Sequence, residues 1–201
     1  MLNDPSHATG LMLAHVDAAA DLKQTTTPDT NYTPVDRYTL SYAPTGGFFS
    51  DLWGTLLTKL GIESESVLGL RSQIESIQGS EKKVNWVAHS RGGTEFVQAA
   101  QGSGVTDLSN NSVVFHAGAN TVFATKSMID TKRIGDVINE ESRYRDAPND
   151  LVPQIVGLRA LTSPFNFIRS LWALPSVFGD DIEKSPHTLP YQWSNLQKGG
   201  N

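Results

Sequence analysis

Val84-Asn85-Trp86-Val87-Ala88-His89-Ser90-Arg91-Gly92-Gly93 joins a short apolar run to a segment of helical spacing. The run Val84–Ala88 has the length and the β-branched and aromatic content of a buried strand. After Gly93, the residues Phe96, Val97 and Ala100 fall on one side of a predicted helix. A serine between a strand and a helix, with a small residue two positions before it (Ala88) and two after it (Gly92), fits a nucleophile elbow. Such a turn holds the serine in a strained backbone conformation, and larger flanking side chains are expected to collide across it. The elbow would leave the Ser90 hydroxyl exposed above the carboxyl end of a sheet. The helix N-terminus and the Arg91 N–H would then face a developing oxyanion. The motif is short and weak alone; its place at a strand–helix junction gives it weight.

The flanking sequence continues the alternation. A helical pattern runs from about Ser6 to Lys23, with Leu11, His15, Ala18 and Leu22 on one face. Gln24–Pro34 reads as a polar loop and Tyr38–Tyr42 as a strand ended by Pro44-Thr45-Gly46-Gly47. Ser50 can cap a helix carrying Leu52, Trp53, Leu56, Leu57 and Leu60, stopped by Gly61. Another helix is expected from Ser64, with Val67, Leu70, Ile74 and Ile77 spaced for one face. Ser112–Ala117 is a further apolar strand. A helix over Thr121–Asp130 and a strand leading to Asp146 complete the series. This order predicts an α/β fold, a mostly parallel sheet with helices on both faces and ligands at the carboxyl ends of its strands. The 201 residues fit one domain, 1–201.

Composition narrows the function classes. Hydrophobic residues at 38% and charged residues at 18% describe an ordinary globular protein. The net charge of −5 gives no basic face for nucleic acid. The absence of Cys excludes disulfides, cysteine metal sites and a thiol nucleophile, and leaves the compartment open. No run of about 18 apolar residues predicts a membrane span. Met1–Pro5 lacks the features of a signal peptide, so any export would follow a leaderless route. Asp180, Asp181 and Glu183 lack the spacing of a calcium loop and read as a solvated cluster. Neither metal nor organic cofactor is expected.

A serine hydroxyl needs a neighbouring base at neutral pH, and histidine with an orienting carboxylate supplies one. His187, in a loop far downstream, is the candidate base. His116, ending a strand near Ser90, is the alternative. His89 would point away across the turn, and His7 and His15 belong to the first helix. Asp146 and Asp150 compete as the acid, with Pro148 and Pro153 fixing the loop around the latter.

The Ala88–Gly93 elbow, Asp150-Leu151-Val152-Pro153 and His187 followed by Trp193 resemble the class 3 (fungal-type) lipase family. The likeness spans about Val84 to Trp193. It implies an α/β-hydrolase fold and a Ser90, Asp150, His187 triad cleaving carboxylic esters of lipids or phospholipids through an acyl-enzyme. Ala88 stands where glycine is commoner. Tyr38–Gly61 also looks, more vaguely, like lipase-like domains of secreted bacterial effectors and polymorphic toxins. That likeness implies a membrane-derived substrate and a neutralising immunity protein as partners. A thioesterase or amidase on the same triad, or a catalytically silent binding domain of the same fold, are the other readings.

Between acid and base, Leu158–Phe178 is rich in apolar residues, with Pro164 placed to start a helix and Pro175 to end it. Phe165, Ile168, Trp172 and Phe178 are candidates for an acyl-chain wall or lid; a core helix is the plainer reading. One further expectation concerns the start. In an α/β-hydrolase the second oxyanion N–H comes from a loop after a strand beside the nucleophile strand. Only Met1–Pro5 precede the first helix here, too few for that strand. Asn3 is then the candidate second donor. An upstream domain of a longer chain, a second chain, or Tyr38–Tyr42 itself would fill the place beside Val84–Ala88; the expectation is that 1–201 is a fragment of a longer chain whose activity needs the missing N-terminal strand.

Overall fold

A computed structural model of the protein describes residues 5–6, 9–10, 12–14, 39–41, 54–56, 60–81, 83–135, 144–145, 150–161 and 164–172. The longest continuous part builds the expected alternation. Helix α1 (Glu65–Ser76) starts at Ser64, whose hydroxyl accepts the Val67 N–H at 3.4 Å. Its Val67, Leu70 and Ile74 are buried, as their three- and four-residue spacing requires. Strand β1 (Val84–His89) then runs into α2 (Arg91–Gly102) through Ser90 alone. Strand β2 (Asn111–His116) leads to α3 (Val122–Lys132), where Thr121 caps by accepting the Ala124 N–H at 3.2 Å. Strand β3 (Tyr144–Arg145) precedes α4 (Leu151–Ile155), a 3-10 turn (Arg159–Leu161) and α5 (Pro164–Leu171).

The strands form a parallel sheet in the order β1-β2-β3. The architecture is therefore mixed α/β with a parallel sheet. Val84 pairs with Asn111 and His89 with His116, so β1 and β2 end level at their carboxyl ends. Trp86 and Ala88 share a face with Val113 and Phe115. Against that face, Val67, Leu70 and Ile74 of α1, Phe96, Val97, Ala99 and Ala100 of α2 and Met128 of α3 close one hydrophobic cluster. Phe96 stands at its centre, its ring 5.3 Å from Trp86 and 6.2 Å from Phe115, tilted and edge-on. The Trp86 indole N–H donates to Asn111 Oδ1 at 2.9 Å, a polar tie across the two strands.

Three expectations need comment. Thr39–Ser41 are irregular where the strand Tyr38–Tyr42 was expected, and so supply no partner to β1. A short alternating run becomes a strand only when an edge receives it; propensity alone does not suffice. Residues 54–56 are helical, and Gly61 takes φ +83°, the left-handed stop expected after Leu60. The described core gathers on the face of the sheet that carries Val113 and Phe115. No described helix is long and apolar enough to cross a membrane.

Candidate active site

Ser90 has φ 53° and ψ −126°, a backbone conformation that side-chain-bearing residues rarely adopt. It is the one residue between β1 and α2, and three backbone hydrogen bonds hold it there. Its N–H donates to the His116 carbonyl at 3.1 Å. Its own carbonyl accepts the Gly93 N–H at 3.0 Å and the Ala119 N–H at 3.0 Å. The strain is thus fixed from two sides, by the first turn of α2 and by the chain leaving β2. The Ser90 side chain is half-buried and makes no capping bond to α2. Arg91, first residue of that helix, has no intrahelical acceptor for its N–H, as at any helix start.

The glycine with crowded surroundings is displaced by one from the expected position. A Cβ on Gly92 would meet nothing within 4 Å among the described residues. A Cβ on Gly93 would lie 2.4 Å from Asn120 Oδ1 and 3.3 Å from the Phe115 ring. The crowding therefore comes from the neighbouring strand and its exit loop, not from across the turn itself. Ala88 is buried, which agrees with a small residue before the serine. The Arg91 side chain lies over Gly54 and reaches Glu95 one turn on, Nε to Oε1 2.8 Å, with Glu95 buried.

Of the other two expected triad residues, Asp150 is the one that the structure describes. It is 1% exposed and is the N-cap of α4, its Oδ1 accepting the Val152 N–H at 3.0 Å. A carboxylate offers about four acceptor positions, so a capping bond occupies only part of it. The turn that ends α4 packs on the β2 exit loop. Arg159, itself buried, donates from Nη1 to the Gly118 carbonyl at 3.2 Å, and a Cβ on Gly157 would come within 3.2 Å of the same oxygen. One loop, Ala117–Asn120, is therefore in contact with both the Ser90 elbow and the turn that follows the helix Asp150 caps. His116, which ends β2, is buried beside this loop.

His187, Phe178, Asn3 and Asp146 lie outside the described residues. Phe165, Ile168 and Trp172 are described, and they face outward: Phe165 is 80% and Trp172 84% exposed, while Ser170 is buried. Over the described residues α5 does not have the burial of a core helix, since Ser170 is buried while Phe165, Ile168 and, just beyond the helix, Trp172 are exposed. Leu158 and Leu161 extend the exposed series, so 158, 161, 165, 168 and 172 follow at intervals of three and four. From Leu151 to Trp172 the sequence contains no Asp or Glu, and Arg159 and Arg169 are its only charges.

Among the described residues no group of three His, Asp or Glu side chains could hold a metal ion. The residues that sequence reading passed over are Gly93, Gly118 and Asn120. Gly118 marks the end of an apolar strand in the sequence, but nothing there says which side chain its missing Cβ admits. Comparison of the chain with models of protein families, with curated proteins and with solved structures found no match.

Proposed function

We propose that this chain is a serine hydrolase of the α/β-hydrolase type that cleaves carboxylic esters of lipids, with Ser90 as its nucleophile. The observation that carries the reading is the Ser90 backbone, φ 53° and ψ −126°, at a strand-to-helix junction of a parallel sheet. Strain of this kind costs about 1–3 kcal/mol and persists where the surrounding structure over-determines it, typically at working sites. Asp150 supports the same reading. It follows the third strand in the order, at the start of a helix whose following turn is tied to the loop that also braces Ser90.

In this mechanism the Ser90 Oγ attacks the ester carbonyl carbon while His187 takes the hydroxyl proton. The carbonyl oxygen becomes an oxyanion held by the Arg91 N–H, with the Asn3 N–H as second donor. Collapse of the tetrahedral intermediate expels the alcohol, which receives the proton from His187 and leaves the acyl group on Ser90. Water, deprotonated by His187, then releases the acid and restores the serine. Asp150 keeps the imidazole in the required tautomer and stabilises its charged form.

The preference for lipid esters rests on the outward apolar series through Phe165, Ile168 and Trp172. An exposed apolar series of this kind marks an interaction surface more often than ordinary protein surface. Labelling with a fluorophosphonate tests the nucleophile directly: the wild-type chain should be modified at Ser90, and Ser90→Ala should not. Modification at another serine, or none in a folded wild-type protein, would refute the proposal. A panel of ester substrates of increasing acyl length then tests the lipid preference.

A further inference from the structure

Ser90 is held partly by a loop that has to be held in turn. The loop Ala117–Asn120 leaves β2 with Ala117 at φ +48°, another positive value on a residue with a side chain. It delivers the Ala119 N–H to the Ser90 carbonyl. Asn120, 1% exposed, ends it. Its Nδ2 donates to Thr125 Oγ1 at 2.6 Å, and Thr125 in turn donates to the Thr121 carbonyl at 2.9 Å. Because the single Thr125 hydroxyl proton is already committed, Asn120 must present its NH2 there and its oxygen on the opposite side.

That opposite side is the space between two glycines. Oδ1 lies 2.4 Å from where a Cβ of Gly93 would be and 2.2 Å from where a Cβ of Gly118 would be. The oxygen is buried and has no hydrogen-bond partner among the described residues. Leaving a buried acceptor unsatisfied costs about 1–3 kcal/mol, so packing alone does not explain why a carboxamide stands here. Its position does explain it. The carboxamide is a rigid spacer, anchored on α3, that keeps the first turn of α2 and the β2 exit loop at a fixed separation. Those two segments supply the two N–H groups on the Ser90 carbonyl.

We infer that Asn120 is the positioning residue of the Ser90 elbow, setting the Ser90 backbone through Gly93 and Gly118 without touching substrate. The consequence for catalysis rests on the nucleophile reading above; the consequence for the backbone does not. Four full-length proteins test it: wild type, Asn120→Ala, Gly93→Ala and the double variant. Fluorophosphonate inactivation is resolved into kinact and KI, and amide hydrogen exchange is followed at Gly93 and Ala119, with Leu70 and Ile74 in α1 as references. Asn120→Ala should lower kinact by about tenfold or more, because small misplacement of a reacting atom costs up to about 100-fold, and should leave KI nearly unchanged. Protection at Gly93 and Ala119 should fall while α1 keeps its own. Gly93→Ala should also slow labelling, and the double variant should label faster than Gly93→Ala, since the new Cβ enters the vacated space.

Unchanged protection at Gly93 and Ala119 in a folded Asn120→Ala protein overturns the inference. So does an equal loss of protection in α1, which would make Asn120 an ordinary core residue. If wild type does not label at Ser90 but Gly93 and Ala119 still respond to Asn120→Ala, the hydrolase reading fails and the elbow assignment stands.

Discussion

Replacing Ser90 by glycine should make the protein more stable than replacing it by alanine. Alanine keeps the side-chain penalty at φ 53° and ψ −126°, whereas glycine has no Cβ to strain. Relief of such strain is worth about 1–3 kcal/mol, and the extra freedom glycine gives the unfolded chain offsets about 0.4–1 kcal/mol of it. The net expectation is that Ser90→Gly exceeds Ser90→Ala by about 1–2 kcal/mol. The Ser90 hydroxyl makes no capping bond to α2, so both variants lose the same interaction with that helix, namely none. Glycine also outranks alanine at ordinary helix N-caps. Thr121, the N-cap of α3 at φ −77°, is the internal control, and the gap between its glycine and alanine variants should be smaller by about 1 kcal/mol. In a domain of this size 1 kcal/mol moves Tm by about 2–4 °C, so paired thermal melts resolve the difference. Urea titrations with unchanged m values would show that the variants differ in stability and not in the compactness of either state. Equal gaps at the two positions, or an alanine variant as stable as the glycine one at Ser90, would refute a strained elbow.

Other perturbations separate the remaining roles. Asp150→Asn preserves a good N-cap and should leave stability within about 0.5 kcal/mol, whereas Asp150→Ala should cost about 1 kcal/mol in denaturant titrations. Both should reduce ester turnover by orders of magnitude; Asp150→Asn retaining a tenth of wild-type activity would remove Asp150 from the triad. His187→Ala should be nearly inactive and His116→Ala only impaired, and the reverse order in a turnover assay would exchange their roles. Phe165→Ser with Trp172→Ser should lower hydrolysis of vesicle-borne esters while sparing a short soluble ester, because both side chains are largely exposed and unburdened by core packing. An equal loss on both substrates would place these residues in the fold instead of at a lipid surface.

Much of the fold was legible because it rests on local chemistry. Ser64 and Thr121 sit where a hydroxyl can accept an amide, and both cap. Val67, Leu70 and Ile74 carry a helical period that burial then follows. The elbow was legible for a similar reason, since strand, serine and helix are adjacent in sequence. Tyr38–Tyr42 was misleading because pairing depends on an edge elsewhere in the chain, and Thr39–Ser41 form none. The role of Gly93 was out of reach: its constraint is the oxygen of Asn120, on the far side of β2, and no local pattern reports a contact of that kind. The outward turn of Phe165 and Trp172 was equally hidden, because spacing tells which residues share a face of a helix and not whether that face meets the core or the surface.

The bonds from Ser90 to His116 and Ala119 also set an order of assembly. Adjacent in sequence though its parts are, the elbow is not braced locally alone: besides the Gly93 N–H, the groups that hold it stand more than two dozen residues later in the chain. Until β2 docks in register on β1, Ser90 has no reason to leave the common regions of backbone space, and closing that loop has an entropic cost that local helices do not bear. The strained Ser90 turn, and with it the proposed nucleophile, therefore comes into being together with the strand pair, and disappears with it. A nascent or partly opened chain carries an ordinary serine. A protease cut between α2 and β2 would disarm the site whenever β2 drifted from its partner, with every proposed triad residue still present.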